Sequence, residues 1–299
     1  VDPGIYLVHK PVGQTSFSLV QELMEEVRAA GIRRDKLPVS HGGALDPFAE
    51  GLMLLLAGQA TRLMDLLHPI PKVYVAEVAW GAETDNGDPL GRVVARADPG
   101  RLTPEMLEVA IAPLLGWRDQ VPPPTSNKRV DGERAYRKAH RGESFELPPS
   151  RVYLHEARWL SHHLPSGSTL RLVTGGGYYV RSLARDLGRA TGALAHLRTL
   201  RRLAIGPWED PPAGERPLVR GAGLFPWCPS VAVEAREVAA LKAFRPIPVR
   251  PVEPAGWPLP PGFPDPHAPI RALHHGALVA MLRERDGNLA GDPVLRSPL

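Results

Sequence analysis

Apolar residues recur at helical spacing at Val20, Leu23, Met24 and Val27, just after Thr15-Ser16, a pair suited to capping; the pattern predicts a core-packing helix over 17–30. The period then changes. Gly4 to Val8 is rich in β-formers, and Tyr74 to Trp80 reads as a strand with Tyr74, Ala76, Val78 and Trp80 on one face and Val73, Val75, Glu77 and Ala79 on the other. Pro47 to Leu52 predicts a short helix, Met53 to Ala57 a buried strand ended by Gly58, and Ala60 to Leu67 a return to helix. Thr103-Pro104-Glu105 has the cap and first-turn proline of a helix running to Leu115, before Gly116. Arg151–Ser161 and Ser168–Thr174 read as strands joined through Pro165-Ser166-Gly167, and Tyr179–Ala190 as a helix with Val180, Leu183, Ala184 and Leu187 on its buried stripe. Such mixing, without regular βαβ repetition, predicts an α+β fold: a mixed, largely antiparallel central sheet with flanking helices.

Beyond Ser230 the character changes. Between Arg245 and Pro266 prolines are dense, Pro264 and Pro266 among them, which forbids a helix or central strand and predicts an extended loop. Around it, 237–244 suits a short helix, and 270–273, 277–283 and 293–295 suit short strands. The expected division is therefore a domain over 1–229 and a small β-rich C-terminal domain over 230–299.

Composition narrows the function classes. The single cysteine, Cys228, excludes an internal disulfide and a cysteine-rich zinc site, and its apolar flank predicts a buried, inert thiol. His162-His163 and His274-His275 are adjacent in sequence, so their rings are expected to diverge and not to chelate a metal. No apolar run is long enough for a membrane span, and the opening residues lack the basic-then-apolar pattern of a secretory signal; the expected location is the cytoplasm. A net charge of +4 favours a polyanionic partner. Arg181, Arg185, Arg189, Arg198, Arg201 and Arg202 crowd one region, and Lys128, Arg129, Arg134, Arg137, Lys138 and Arg141 another.

The chemistry converges on Asp46, in Ser40-His41-Gly42-Gly43-Ala44-Leu45-Asp46-Pro47. Asp before Pro is a common helix cap, a purely structural role. Two glycines and a histidine on the same short loop suit instead a close approach to a ligand. This run resembles the Gly-His-Thr-Gly-Ala/Thr-Leu-Asp-Pro signature of the TruB-type tRNA pseudouridine synthases. Further blocks follow in the family's order: Lys10-Pro11-Val12-Gly13-Gln14-Thr15-Ser16, Lys72-Val73-Tyr74, Thr84 to Gly91, Pro122 to Ser126 with Asp131-Gly132, Gly177 to Ser182, and Leu200-Arg201-Arg202. Together they cover the first 210 residues. Departures include Ser40 and Gly42 for the usual Gly and Thr, Asn127-Lys128-Arg129 for Ala-Leu-Lys, and Gly176 where the family often has Lys.

The resemblance implies isomerisation of a T-loop uridine of tRNA, position 55, to pseudouridine, a redox-neutral reaction needing neither cofactor nor metal. It carries the catalytic aspartate onto Asp46, as a nucleophile or as a group acting on the ribose, and its guanidinium partner onto Arg181, a permanent cation that would keep the carboxylate ionised. Tyr74 and Tyr179 match the tyrosines of the uracil pocket, Tyr74 as candidate proton relay, and Leu200 the side chain that closes it. His41 matches a histidine that touches the remodelled RNA loop. Lys10, Lys72 and Asp88 read as loop-shaping residues. The two arginine-rich regions become expected phosphate contacts, and 230–299 corresponds in position to an RNA-binding domain of the PUA kind. The expected partner is the tRNA T-stem-loop, met by a monomer without a protein partner. The alternatives are a tRNA-folding factor with secondary or lost catalysis, or a guide-RNA-dependent relative.

Overall fold

The structure, a computed structural model, describes residues 1–126, 128–130, 132–263 and 269–299. Asn127, Asp131, Pro264 and Pro266 lie outside the described residues. The fold is mixed α/β, with a large, mainly antiparallel sheet and a β-rich C-terminal region. The chain forms two compact units, one of Val1–Pro47, Gly51–Ile70 and Ala204–Leu299, the other of Phe48–Glu50 and Pro71–Leu203.

The first unit opens with β1 (Gly4–Lys10), α1 (Ser16–Ala29), β2 (Val39–His41) and β3 (Glu50–Ala57), followed by a 3-10 helix over Gly58–Leu67. Helix α1 begins where its cap predicts: Thr15 Oγ1 accepts a 3.0 Å hydrogen bond from the Ser18 amide, and the apolar stripe buries Leu19, Val20, Leu23 and Val27. The helix expected over 47–52 does not form. Pro47-Phe48 is a turn, and the chain enters β3 at Glu50. Pairing decides this: β1 is matched antiparallel from Gly4↔Ala57 to Lys10↔Gly51, so residues 51–57 all complete a ladder, and Leu52 to Leu56 are buried on both faces.

The second unit contains β4 (Lys72–Trp80), β5 (Ala82–Thr84), β6 (Val93–Arg96), α2 (Pro104–Ile111), β7 (Gly116–Gln120), the two-residue strands β8 (Arg129–Val130) and β9 (Glu133–Arg134), α3 (Ala135–His140), β10 (Ser150–His163), β11 (Gly167–Thr174), α4 (Val180–Thr191) and β12 (Ala195–Ile205), the last two residues of β12 belonging to the first unit. Five of its strands lie in the order β12-β4-β11-β10-β7, while β5 pairs with β6 and β8 with β9. The alternation expected of β4 holds as far as Val78: Tyr74, Ala76 and Val78 are buried while Val73, Val75 and Glu77 are half-exposed, but beyond it Ala79 and Trp80 are both buried. Helix α2 packs against α4. It stops at Ile111 and gives way to a 3-10 turn over Ala112–Leu114, short of the expected Leu115, because Pro113 has no amide hydrogen to donate and its ring crowds the preceding turn.

The chain returns to the first unit through β13 (Trp208–Glu209), β14 (Leu218–Val219), β15 (Ser230–Ala232), α5 (Ala235–Lys242), β16 (Ile247–Pro248), β17 (Ile270–His274), β18 (Ala277–Arg285) and β19 (Asn288–Val294). The last five strands form a sheet of order β15-β17-β18-β19-β16; its edge strand β16 ends in Pro248, where a missing amide hydrogen is tolerated. An extra residue in β18 at Val279, opposite β17, shapes how it serves two cores. Leu278 and Met281 join Ile5, Leu52 and Leu54, whereas Val279 and Leu282 pack with Val231, Leu241 and Leu289. Cys228 is buried in the first of these cores, as its flank predicts.

One expectation about the histidines is corrected. The rings of His274 and His275 do not diverge: their centroids are 4.3 Å apart, because His275 turns the chain at φ 48° between β17 and β18. Nδ1 of His274 is 2.8 Å from the Val233 carbonyl. Among the described residues no helix is long and apolar enough to cross a membrane.

Candidate active site

Loss of the expected helix at 47–52 removes the capping role from Asp46. The residue sits, half-buried, in an irregular loop between β2 and β3, and both of its neighbours are pinned. Before it, Ser16 Oγ accepts from the Leu45 amide at 2.8 Å and donates to the Leu45 carbonyl at 3.0 Å. After it, the Pro47 carbonyl accepts from the Gly13 amide at 2.8 Å and from Nζ of Lys10 at 3.5 Å. Lys10 is fully buried, and its ammonium also donates to the carbonyls of Pro11 and Gln14, both at 2.9 Å. A buried ammonium is costly unless several oxygens solvate it, and here backbone carbonyls do so. The block Lys10 to Ser16 therefore acts as a bracket around the aspartate loop, a physical reason for the expectation that Lys10-Pro11 shapes loops.

His41 ends β2 and is half-buried; its Nδ1 lies 3.4 Å from the Gly43 amide, which donates to it. Gly42 donates to the Leu54 carbonyl at 2.8 Å. A β-carbon there would lie 2.6 Å from Cδ1 of Leu67 and 3.2 Å from Cβ of Leu54, so the glycine that stands where the family has threonine matches a leucine occupying that space.

The second unit holds the remaining candidates. Arg181, in the first turn of α4, is only 4% exposed. Its Nη1 donates to the Asn86 carbonyl at 2.9 Å and to Thr125 Oγ1 at 2.6 Å, and Nη2 donates to the Thr125 carbonyl at 3.0 Å. Three motif blocks separated in sequence meet at this guanidinium. Gly87 allows the approach, since a β-carbon there would stand 3.2 Å from Cβ of Arg181 on a backbone at φ 78°. Tyr179 precedes α4, its amide donating to Oε1 of buried Gln120 at 2.9 Å and its carbonyl accepting from Nε2 at 3.1 Å. Of the two adjacent tyrosines, Tyr178 is buried, which pushes its hydroxyl well above the usual range, whereas Tyr179 is half-exposed. Tyr74 lies on the buried face of β4, opposite Leu172 of β11, and is 9% exposed. Leu200 is buried on β12. Lys72, at the start of β4, is buried near Arg202; desolvation first and that like charge second pull its ammonium down to about 7. Asp88 is buried and shapes its turn by accepting from the Leu90 amide at 2.8 Å. Gln120 lies outside every motif and shows no pattern of its own; Ser16 and Thr125 stand inside motif blocks, but nothing in the sequence marks their contacts with Leu45 and Arg181.

The expectation that the arginines of 181–202 are phosphate contacts is corrected for the two that are buried, and three others carry acidic partners. Arg181 and Arg202 are buried, Arg185 is bonded to Asp186 at 3.0 Å, Arg189 to Glu83 at 2.6 Å and Arg198 to Glu77 at 2.6 Å. In the other region Arg141 is shared by Glu133 and Glu143, at 2.8 and 2.6 Å.

Residues 32–180 match the model of the TruB family pseudouridylate synthase N-terminal domain. A tRNA pseudouridine synthase B of Thermobifida fusca is 34% identical over 280 residues, covering 90% of this chain and 93% of that protein. One of Ruegeria pomeroyi is 38% identical over 206 residues, 69% of this chain; the match spans 65% of that relative's length. Among solved structures, a Cbf5-Nop10-Gar1 complex contains a chain of the same fold, with a TM-score of 0.66 at 19% identity over 99% of this chain and 84% of that one. The long match at this identity, with the Asp46 loop and the Arg181 block in the family's order, shows that the chain belongs to the TruB family of pseudouridylate synthases.

Proposed function

We propose that this protein isomerises uridine to pseudouridine in tRNA, at position 55 of the T-loop. The observation that carries the reading is the fate of Asp46: a carboxylate released from helix capping and held by fixed neighbours on both sides. In the reaction the bond between uracil N1 and ribose C1′ breaks and one between C5 and C1′ forms. The C5 proton leaves to solvent and N1, which bears no proton while bonded to the ribose, takes one up, so the proton count is unchanged and no oxidant or reductant enters. Asp46 supplies the anionic oxygen, as a nucleophile or at the ribose, and Arg181 keeps it ionised. Tyr179 stacks on the extruded base, Tyr74 relays the C5 proton, and Leu200 closes the slot. His41 meets the reorganised RNA loop, whose unstacking must be offset by protein contacts. The β-rich segment 230–299 serves as a small RNA-binding domain, the protein acts as a monomer on the T-stem-loop without a protein partner, and the cytoplasm is its place of work.

The test is release of tritium from tRNA labelled at uracil C5. Stoichiometric release, with pseudouridine mapped to position 55, is the expected result. Binding of the labelled tRNA with full retention of label would refute the isomerase reading and leave the RNA-folding alternative.

A further inference from the structure

Helix α1 ends in a local knot: Gly31 takes φ 72°, and the Ile32 amide reaches back 3.1 Å to the Val27 carbonyl. The following turn is closed by the Lys36 amide donating to the Arg33 carbonyl at 2.9 Å. Between helix and turn lies a cleft of about 290 Å³, floored by Met24, Val27 and Ile32 and rimmed by Arg28, Arg33 and Arg34. With the neighbouring Lys36, the segment carries four cations against one acid, Asp35, which pairs with Arg33 at 2.9 Å. Arg28, Arg34 and Lys36 are exposed. Of the acids on α1, Glu26 is held by Arg216 at 2.6 Å, Glu22 accepts from Gln14 at 3.5 Å, and Glu25 is exposed three positions before Arg28. The partial negative charge of a helix C-terminus, about half an electron, is small beside these cations. The same chain continues through Pro38, whose carbonyl is fixed by the Gly58 amide at 2.8 Å, into β2 and His41.

We propose that this cleft is an RNA-backbone site, taking a nucleotide of the substrate other than the one isomerised: its phosphate on the Arg28, Arg34 and Lys36 rim, the flat face of its base on the apolar floor. The inference rests on the reading of RNA as substrate. Guanidinium forks suit phosphate, and an apolar floor of this size admits one ring system, not a helix or a strand. The location adds to the phosphate contacts open to a +4 chain, since Arg181 and Arg202 are buried and Arg185, Arg189 and Arg198 each carry an acidic partner within the protein.

The experiment measures affinity for an unmodified tRNA transcript as a function of salt, for the wild type and the triple variant Arg28→Gln/Arg34→Gln/Lys36→Gln. Each lost phosphate contact should lower the slope of log affinity against log salt by about 0.7–0.9, so a total fall of about two is expected, with affinity weaker by at least about tenfold near physiological salt. Arg28→Lys/Arg34→Lys, which keeps the charge, should retain most of the slope. Arg96→Gln/Arg101→Gln/Arg158→Gln removes as much charge from residues that do not line this cleft, and should change the slope less. An unchanged slope in the first variant, or an equal fall in the last, would overturn the site. Tritium release by the wild type, followed in the same preparation, separates the two ideas: release with an unchanged slope removes the site alone, and a changed slope without release removes the isomerase reading alone.

Discussion

Two arginine-rich stretches of similar appearance meet opposite fates. Along α4 and β12 the cations have partners within the protein: Arg181 has Asn86 and Thr125, Arg185 has Asp186, Arg189 has Glu83 and Arg198 has Glu77. After α1 they stand on the rim of a cleft with a single acid among them. The difference lies in partners that arrive from other strands. Glu83 is 106 positions from Arg189 and Glu77 is 121 from Arg198, so no local reading of charge could pair them. A count of cations measures the field a chain can make only after internal ion pairs are subtracted.

The comparison can be broken most forcefully at Arg181. Arg181→Gln leaves the Asn86 and Thr125 carbonyls short of donors in a buried site, and should lower unfolding free energy by about 3 kcal/mol in urea titrations while abolishing tritium release. Wild-type stability in that variant would show the guanidinium to be a surface group. Ser16→Ala, which frees Leu45 beside Asp46, should cost about 1–2 kcal/mol and reduce kcat about tenfold, with KM little altered, since 1.4 kcal/mol of lost positioning is a factor of ten. A rise in KM at constant kcat would mean that Ser16 serves binding instead. Smallest is Arg189→Gln: Arg189 is 59% exposed, so losing its pair with Glu83 should change stability by less than about 1 kcal/mol and leave the salt slope of tRNA binding untouched. A slope that falls would return Arg189 to the phosphate contacts.

Much of the fold was legible because it rests on local pattern. The Thr15 cap, the alternation of β4 and the stripe of α4 are all set by residues within a few positions of one another. The segment 47–52 was misread for the opposite reason: Asp46-Pro47 is a strong local cap signal, overridden by pairing with β1 some forty positions earlier. The candidate site shows the same division. Asp46, His41 and the tyrosines were visible in motifs, whereas the holding of Leu45 by Ser16 and of Tyr179 by Gln120 depends on contacts 29 and 59 positions apart. The cleft after α1 left no motif, only a run of basic residues of the kind that is usually a solvated face.

Everything chemical here depends on the carboxylate of Asp46, and the most direct measurement is turnover by Asp46→Asn, which keeps the shape of the side chain and removes its charge. The account predicts tRNA binding at wild-type affinity with no release of C5 tritium; release at a rate near that of the wild type would contradict it.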